Sequence, residues 1–251
     1  DGGAGNDVYK VSIFNDGNDL ISDSDGTSDS VDYSAITDTT YHLEVNLTSG
    51  NALVKNTSAV IQQTDILSGI EDIVGTSGAD TFIGNGGNNI FDGRNGNDTV
   101  SFENITDSNI SVTIDLKNNI ATSTVSGTDT LTSIENATGG AGDDIIKVST
   151  DLESNVLAGN AGKDTISYEY YTTAVTRDLS NTTTVQDDDI LKGFENIIGG
   201  SGDDSFRGNS SNNTFNGNSG NDTVDYSNAT SKIVANLNGS TKTVVNSSDI
   251  D

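Results

Sequence analysis

The chain contains no cysteine, methionine, proline or tryptophan, and only 7 tyrosines and 7 phenylalanines among 251 residues. Without cysteine no disulfide can staple the fold, although that absence does not fix the compartment in which the chain works. Aromatic residues make up 6% and hydrophobic residues 31%, too little for a conventional thick core. Positive charge is scarce as well: 11 Lys+Arg stand against 38 Asp+Glu, for a formal net charge of −27. Nucleic acid and anionic membrane surfaces repel such a chain, and its self-repulsion calls for bound cations. No apolar run is long enough to span a bilayer and no signal peptide is evident. Starting at Asp1 and stopping at Asp251 inside a recognisable repeat, the chain reads as a fragment of a longer protein. Low hydrophobicity with high net charge is also a signature of disorder, but the hydrophobic residues here are strictly placed.

That placement is periodic. Four stretches restart alike: Asp29-Ser-Val-Asp-Tyr-Ser34, Asp98-Thr-Val-Ser-Phe-Glu103, Asp164-Thr-Ile-Ser-Tyr-Glu169 and Asp222-Thr-Val-Asp-Tyr-Ser227, at intervals of 69, 66 and 58 residues. Around the restarts at Asp98 and Asp222 the chain cuts into nines, 75–83, 84–92 and 93–101, then 199–207, 208–216 and 217–225. Each nine follows Gly-Gly-x-Gly-x-Asp-x-U-x, a glycine-rich turn of six residues and a strand of three, as in calcium-binding parallel β-rolls. The eighth positions, Phe82, Phe91, Val100, Phe206, Phe215 and Val224, are expected to point inward. Successive nines fold back on alternate edges, so residues 18 apart should stack about 4.8 Å from one another.

Stacking decides the chemistry. Asp80 falls over Asp98 on one edge, and Asp204 over Asp222. Carboxylates so close repel unless a cation lies between them or one is protonated. Calcium suits the place, because it takes six to eight oxygens in flexible geometry and turn carbonyls can supply the remainder. Magnesium demands a stricter octahedron and zinc wants His or Cys, of which the chain has one and none. On the other edge Glu71 should stack over Asn89 and Glu195 over Asn213, forming either a weaker calcium site or a plain hydrogen-bonded ladder. Residues 139–147 and 159–167 are also good nines, but the eleven residues 148–158 between them lack the glycine pattern, so that edge is expected to be metal-free. Asp7, Asp19, Asp29, Asp144 and Asp164 are further candidate ligands in less regular register.

Between the glycine turns run segments of period two, such as Leu43-Glu-Val45-Asn-Leu47, Val112-Thr-Ile114-Asp-Leu116 and Ile233-Val-Ala235-Asn-Leu237. Each reads as strand, turn, strand. The fold class is therefore all-β, a parallel β-roll or β-helix running as one continuous solenoid over 1–251, with module restarts near 29, 98, 164 and 222. The spacers are expected to be longer calcium-free rungs, with protruding hairpins as the alternative.

Other motifs carry little. His42 lies on an alternating strand with no nucleophile constellation to use it, and is expected to be an exposed strand residue. The Gly84-Asn-Gly-Gly87 run lacks the Gly-Lys-Ser/Thr of a phosphate loop. Asp23-Ser-Asp25-Gly26 is only part of an EF-hand loop, whose first position would be Ile21. Acidic pairs recur at every rung, whereas a glycosidase needs one perturbed pair in a cleft. Tyr33, Phe102, Tyr168 and Tyr226 read as core or stacking aromatics, with a sugar-binding stripe as the minority reading.

The nines at 2–10, 75–101, 139–147, 159–167 and 199–225 resemble the RTX (repeats-in-toxin, haemolysin-type) proteins of Gram-negative bacteria, and the spacers are similar to those of large RTX surface proteins and adhesins. The resemblance implies type I secretion and folding triggered by millimolar calcium, several ions being held by turn carbonyls and the sixth-position Asp. By motif this carries over to Asp80, Asp98, Asp204 and Asp222, then to Asp7, Asp144 and Asp164, while Asn89 and Asn213 depart from the pattern. It points to a structural segment of a secreted cell-surface protein, a surface-layer subunit or adhesin stalk, with calcium ions and lateral self-association or other surface components as partners. The alternatives are the secretion module of a toxin or exoenzyme whose catalytic domain lies elsewhere, and a carbohydrate-binding module. No catalytic activity is expected of the chain itself.

Overall fold

A computed structural model describes residues 2–11, 17–150, 154–183 and 189–227, and the backbone of 243–245. Its elements are strands, most of three residues, and no helix occurs among the described residues. The last three residues of each nine form these strands, as in Thr81–Ile83, Ile90–Asp92 and Thr99–Ser101. Six-residue glycine turns carry the chain back and forth between two sheets, one of 11 strands and one of 9, with a further sheet of 4 strands at the C-terminal side. Neighbours are parallel at the expected interval: Phe82 pairs with Val100, Ile73 with Phe91, Ile197 with Phe215 and Phe206 with Val224.

The eighth positions meet between the sheets. Phe82, Phe91 and Val100 are fully buried, and the Phe82 and Phe91 rings stack at 5.2 Å. One apolar side chain per rung from each sheet makes a narrow core, which is all that 31% hydrophobic residues can fill. Tyr33, Phe102 and Tyr168 are buried in it, so they form no sugar-binding stripe. His42 is half-buried rather than exposed, its Nε2 3.8 Å from Glu44.

The spacers are neither longer parallel rungs nor protruding hairpins. Tyr41–Asn46, Asn51–Asn56 and Ile61–Ser68 form an antiparallel meander spliced into the nine-stranded sheet. Its last strand pairs in parallel with the preceding rung, Leu67 against Ile21, and its first with the following one, Val45 against Phe82. Val112–Asp115, Ile120–Ser123 and Gly127–Thr132 do the same in the eleven-stranded sheet, with Leu131 against Phe91 and Ile114 against Ile146. Both meanders keep the period-two pattern, burying Leu43, Val45, Ala52 and Val54 in one and Val112, Ile114, Ala121 and Leu131 in the other. Polar caps make the tight turns between antiparallel strands: Ser49 N–H donates to Asn46 Oδ1 at 3.0 Å and Asn118 N–H to Asp115 Oδ1 at 2.9 Å. In the third module Thr176–Asp178 and Ile190–Lys192 hold the corresponding outer places, while 184–188 and the run 233–237 lie outside the described residues.

Candidate metal centre

Along each edge the sixth-position carboxylates form a ladder through the backbone. Asp80 N–H donates to Asp98 Oδ1 at 2.7 Å, Asp144 N–H to Asp164 Oδ1 at 2.8 Å, Asp204 N–H to Asp222 Oδ1 at 3.1 Å and Asp7 N–H to Asp29 Oδ1 at 2.8 Å. Stacking thus survives where the spacing departs from 18, at 20 residues for Asp144 and 22 for Asp7. On the aspartate edges the fourth-position glycine lies against its counterpart in the neighbouring rung, Gly96 on Gly78, Gly162 on Gly142 and Gly220 on Gly202. A Cβ on Gly96, where φ is +144°, would collide with the Gly78 carbonyl oxygen and come within 2.7 Å of Asp98 Oδ1. Only glycine permits that approach, which brings a carbonyl and a carboxylate oxygen together between two turns.

These carboxylates are dry. Asp80, Asp98 and Asp204 are each 1% exposed, and among the described residues no Lys or Arg forms an ion pair with them. Burial pushes Asp80 up to about 6 and Asp98 to about 8, the latter also through the charges of Asp80 and Glu135. Burial likewise carries Asp164 to about 7 and raises Asp144 and Asp204. Asp80 spends its oxygens on the Thr76 and Leu43 N–H groups and the Thr76 hydroxyl. In contrast, Asp7, Asp98 and Asp164 each keep a buried Oδ2 with no hydrogen-bond partner. An acceptor-only oxygen, desolvated beside like charge and carbonyls, fits a hard cation and nothing else this chain supplies. The residues present therefore suit calcium, with Asp98, Asp164 and Asp7 offering ligand atoms directly.

Glu71 and Glu195 stack by their backbones where expected, but their side chains turn the other way. Asn89 Nδ2 donates to the Glu71 carbonyl at 2.8 Å and Asn213 Nδ2 to the Glu195 carbonyl at 2.9 Å, so these edges are hydrogen-bonded ladders. The Glu71 carboxylate instead accepts from Asp29 N–H, and that of Glu195 from Asp164 N–H, both at 3.0 Å. Glu135, which the sequence reading passed over, accepts from Asp98 N–H at 2.8 Å. Its signal was present in the recurring triplets Ile70-Glu71-Asp72, Ile134-Glu135-Asn136 and Phe194-Glu195-Asn196. Asp19 is exposed and gives its N–H to Asp65 at 2.9 Å. Asp23, set aside in the sequence as part of an incomplete EF-hand loop, brings a carboxylate oxygen within 4.8 Å of those of Asp7 and Asp29. It is held by the Tyr9 hydroxyl at 2.6 Å.

Stacked glycine turns closing on desolvated carboxylates define a cation-binding β-roll. The chain carries RTX calcium-binding nonapeptide repeats, the family's pattern matching residues 66–100 and 189–224 in four copies. No curated protein matches it.

Proposed function

We propose that this calcium-binding repeat segment is a structural, non-enzymatic part of a secreted cell-surface protein, a surface-layer subunit or adhesin stalk, running as one continuous solenoid that extracellular calcium folds and stiffens. The observation that carries this reading is the ladder of buried carboxylates without a basic partner at Asp80/Asp98 and Asp144/Asp164, in a chain of net charge −27 whose core is one side chain deep. Such a fold cannot be compact at neutral pH until cations neutralise its interior. The meanders support a role in building length, since they extend the sheets without adding a cleft of convergent acid and base. Secretion accords with the RTX calcium-binding repeats, and no helix among the described residues is long and apolar enough to cross a membrane. Small-angle scattering and circular dichroism of the purified chain, in chelator and then in millimolar calcium, test the reading. A collapse from an expanded chain to a rod with β signal is expected, followed by lateral assembly at high concentration. A chain equally compact in chelator, or one that hydrolyses a polysaccharide or peptide, would overturn it.

A further inference from the structure

Each meander returns to the roll through a corner unlike the nonapeptide turn. Only three residues join Ile61–Ser68 to Asp72–Val74, Gly127–Thr132 to Asn136–Thr138, and Ile190–Lys192 to Asn196–Ile198. The first residue of each corner is left-handed, with φ +67° at Gly69, +51° at Ser133 and +67° at Gly193. The second, Ile70, Ile134 or Phe194, is buried in the core. The third is always glutamate. A corner three residues shorter sets the backbone back from the edge, and the longer side chain of Glu makes up the difference.

The corner arrives against a carboxylate one of whose oxygens, Oδ2, lacks a hydrogen-bond partner. Asp98 N–H donates to Glu135 Oε2, and the Glu135 and Asn136 N–H groups donate back to the Asp98 carbonyl at 3.1 and 2.8 Å. Asp164 and Glu195 repeat the arrangement, with return bonds of 3.0 and 2.9 Å. A Cβ on Gly93 would strike both the unpartnered Asp98 Oδ2 and the Ser133 carbonyl oxygen; one on Gly159 would stand 2.5 Å from both Asp164 Oδ2 and the Gly193 carbonyl. The carbonyl of the left-handed residue and the orphaned carboxylate oxygen therefore converge on the same side of a glycine, with no side chain between them. The residues bearing these orphaned oxygens are 1% exposed for Asp98 and 0% for Asp164. Two carboxylates and a carbonyl at one edge match the charge and hardness of a divalent cation, with water free to complete six to eight ligands from the solvent side.

We propose that these corners are calcium sites of a second kind, in which Asp98, Ser133 O and Glu135 hold one ion and Asp164, Gly193 O and Glu195 another, so that the end of a spacer closes each nonapeptide ladder with a metal. The proposal rests on the calcium reading above and adds ligands from a segment without the nonapeptide pattern. It also explains why glutamate, rather than the aspartate of the nines, stands at these corners.

Calcium bound per molecule, counted by equilibrium dialysis of the whole chain at millimolar calcium, tests it in wild type, Glu135→Gln, Glu195→Gln and the double variant. Each single change is expected to lose about one ion, the double about two, with the β signal kept and the ions of the Asp80/Asp98 and Asp204/Asp222 edges still bound. Unchanged counts in all variants would overturn the second kind of site and leave the nonapeptide sites standing. A wild-type chain that bound no calcium would sink the calcium reading itself. Should a variant fail to fold, a calcium-loaded crystal structure of the wild type decides. Density bridging Asp98 Oδ2, Ser133 O and Glu135 is expected, and an ion at Asp80/Asp98 with none at this corner would overturn the assignment.

Discussion

The Tyr33 hydroxyl donates to Asp65 Oδ2 at 2.9 Å inside the core, tying the start of one module to the end of its meander. In the third module Tyr168 reaches Asp189 Oδ2 at 3.4 Å in the same way. The second module has Phe102 where the others have tyrosine, and Gly127 where the first has Gln63, a further donor to Asp65. Asp129 Oδ2 is accordingly buried without a partner, and burial raises this carboxyl to about 7.

Phe102→Tyr should therefore stabilise the calcium-loaded chain by about 1 kcal/mol, by giving Asp129 the hydroxyl its counterparts have. Tyr33→Phe should cost a similar amount. Thermal melts at fixed calcium would show both, and a destabilising Phe102→Tyr would mean that the second module has closed over the place of the hydroxyl.

Arg177 is buried against the Tyr168 ring at 4.3 Å and pairs with Asp189 at 3.3 Å, both residues being almost wholly inaccessible. Arg177→Met leaves an uncompensated carboxylate in the core and should cost about 3–5 kcal/mol. Pairing it with Asp189→Asn should recover most of the loss, measured as the shift in denaturant midpoint. Equal losses in the single and double variants would show that the pair itself contributes little.

Replacing Asp80 and Asp98 together by alanine should remove a nonapeptide site, together with the corner ion that Asp98 shares with Glu135, and raise the calcium concentration needed for folding. The loss is about 2.7 kcal/mol per site at a hundredfold excess over Kd. Lys117 is exposed and donates to Thr150 Oγ1 at 3.2 Å, away from the stacked carboxylates, so Lys117→Ala should leave the calcium midpoint where it was. Coincident titration curves for the two variants would remove the Asp80/Asp98 edge from the set of metal sites.

The raised carboxyls fix the direction of the pH dependence. Between the ordinary carboxylate range and folded values of about 6 for Asp80, 7 for Asp129 and Asp164 and 8 for Asp98, the metal-free fold holds more protons than the unfolded chain. The stability these four carboxyls contribute is thus full below about pH 4 and is lost as pH rises through 6 to 8. Calcium must displace those protons, so its affinity should rise across the same window. The β signal in chelator is expected to be larger at pH 5 than at pH 8, with the calcium midpoint moving oppositely. A chelated chain more ordered at pH 8 would contradict this.

Much of this was legible in the residues. The strict nine fixes both the three-residue strand and the 18-residue stack, so the pairing of Asp80 with Asp98 and the inward Phe82 could be read directly. The direction of Glu71 could not, because the three-residue corner that ends on it breaks the nine, a change that counting backwards from Asp80 does not register. Nor could the meanders be told from long rungs. Period-two alternation marks a strand with one face buried but carries no sign of whether its neighbour runs parallel or antiparallel. The signal lay in the turns, where Asn46-Leu-Thr-Ser-Gly50 and Asp115-Leu-Lys-Asn-Asn119 are short enough only for an antiparallel return.

Each meander places three strands where a nine places one, advancing its own sheet by two strand spacings, about 10 Å, relative to the sheet opposite. Repeated always on one side, that excess would curl the roll like a bimetallic strip. Four short strands separate the first meander from the second, and four again separate the second from Thr176–Asp178. Four strands between them make five reversals, an odd number, so the first two meanders fall on opposite sheets and the second offsets the excess introduced by the first. The balance of the two sheets thus depends on a parity in the repeat count, and removing a single nine from between two meanders would place both excesses on one side.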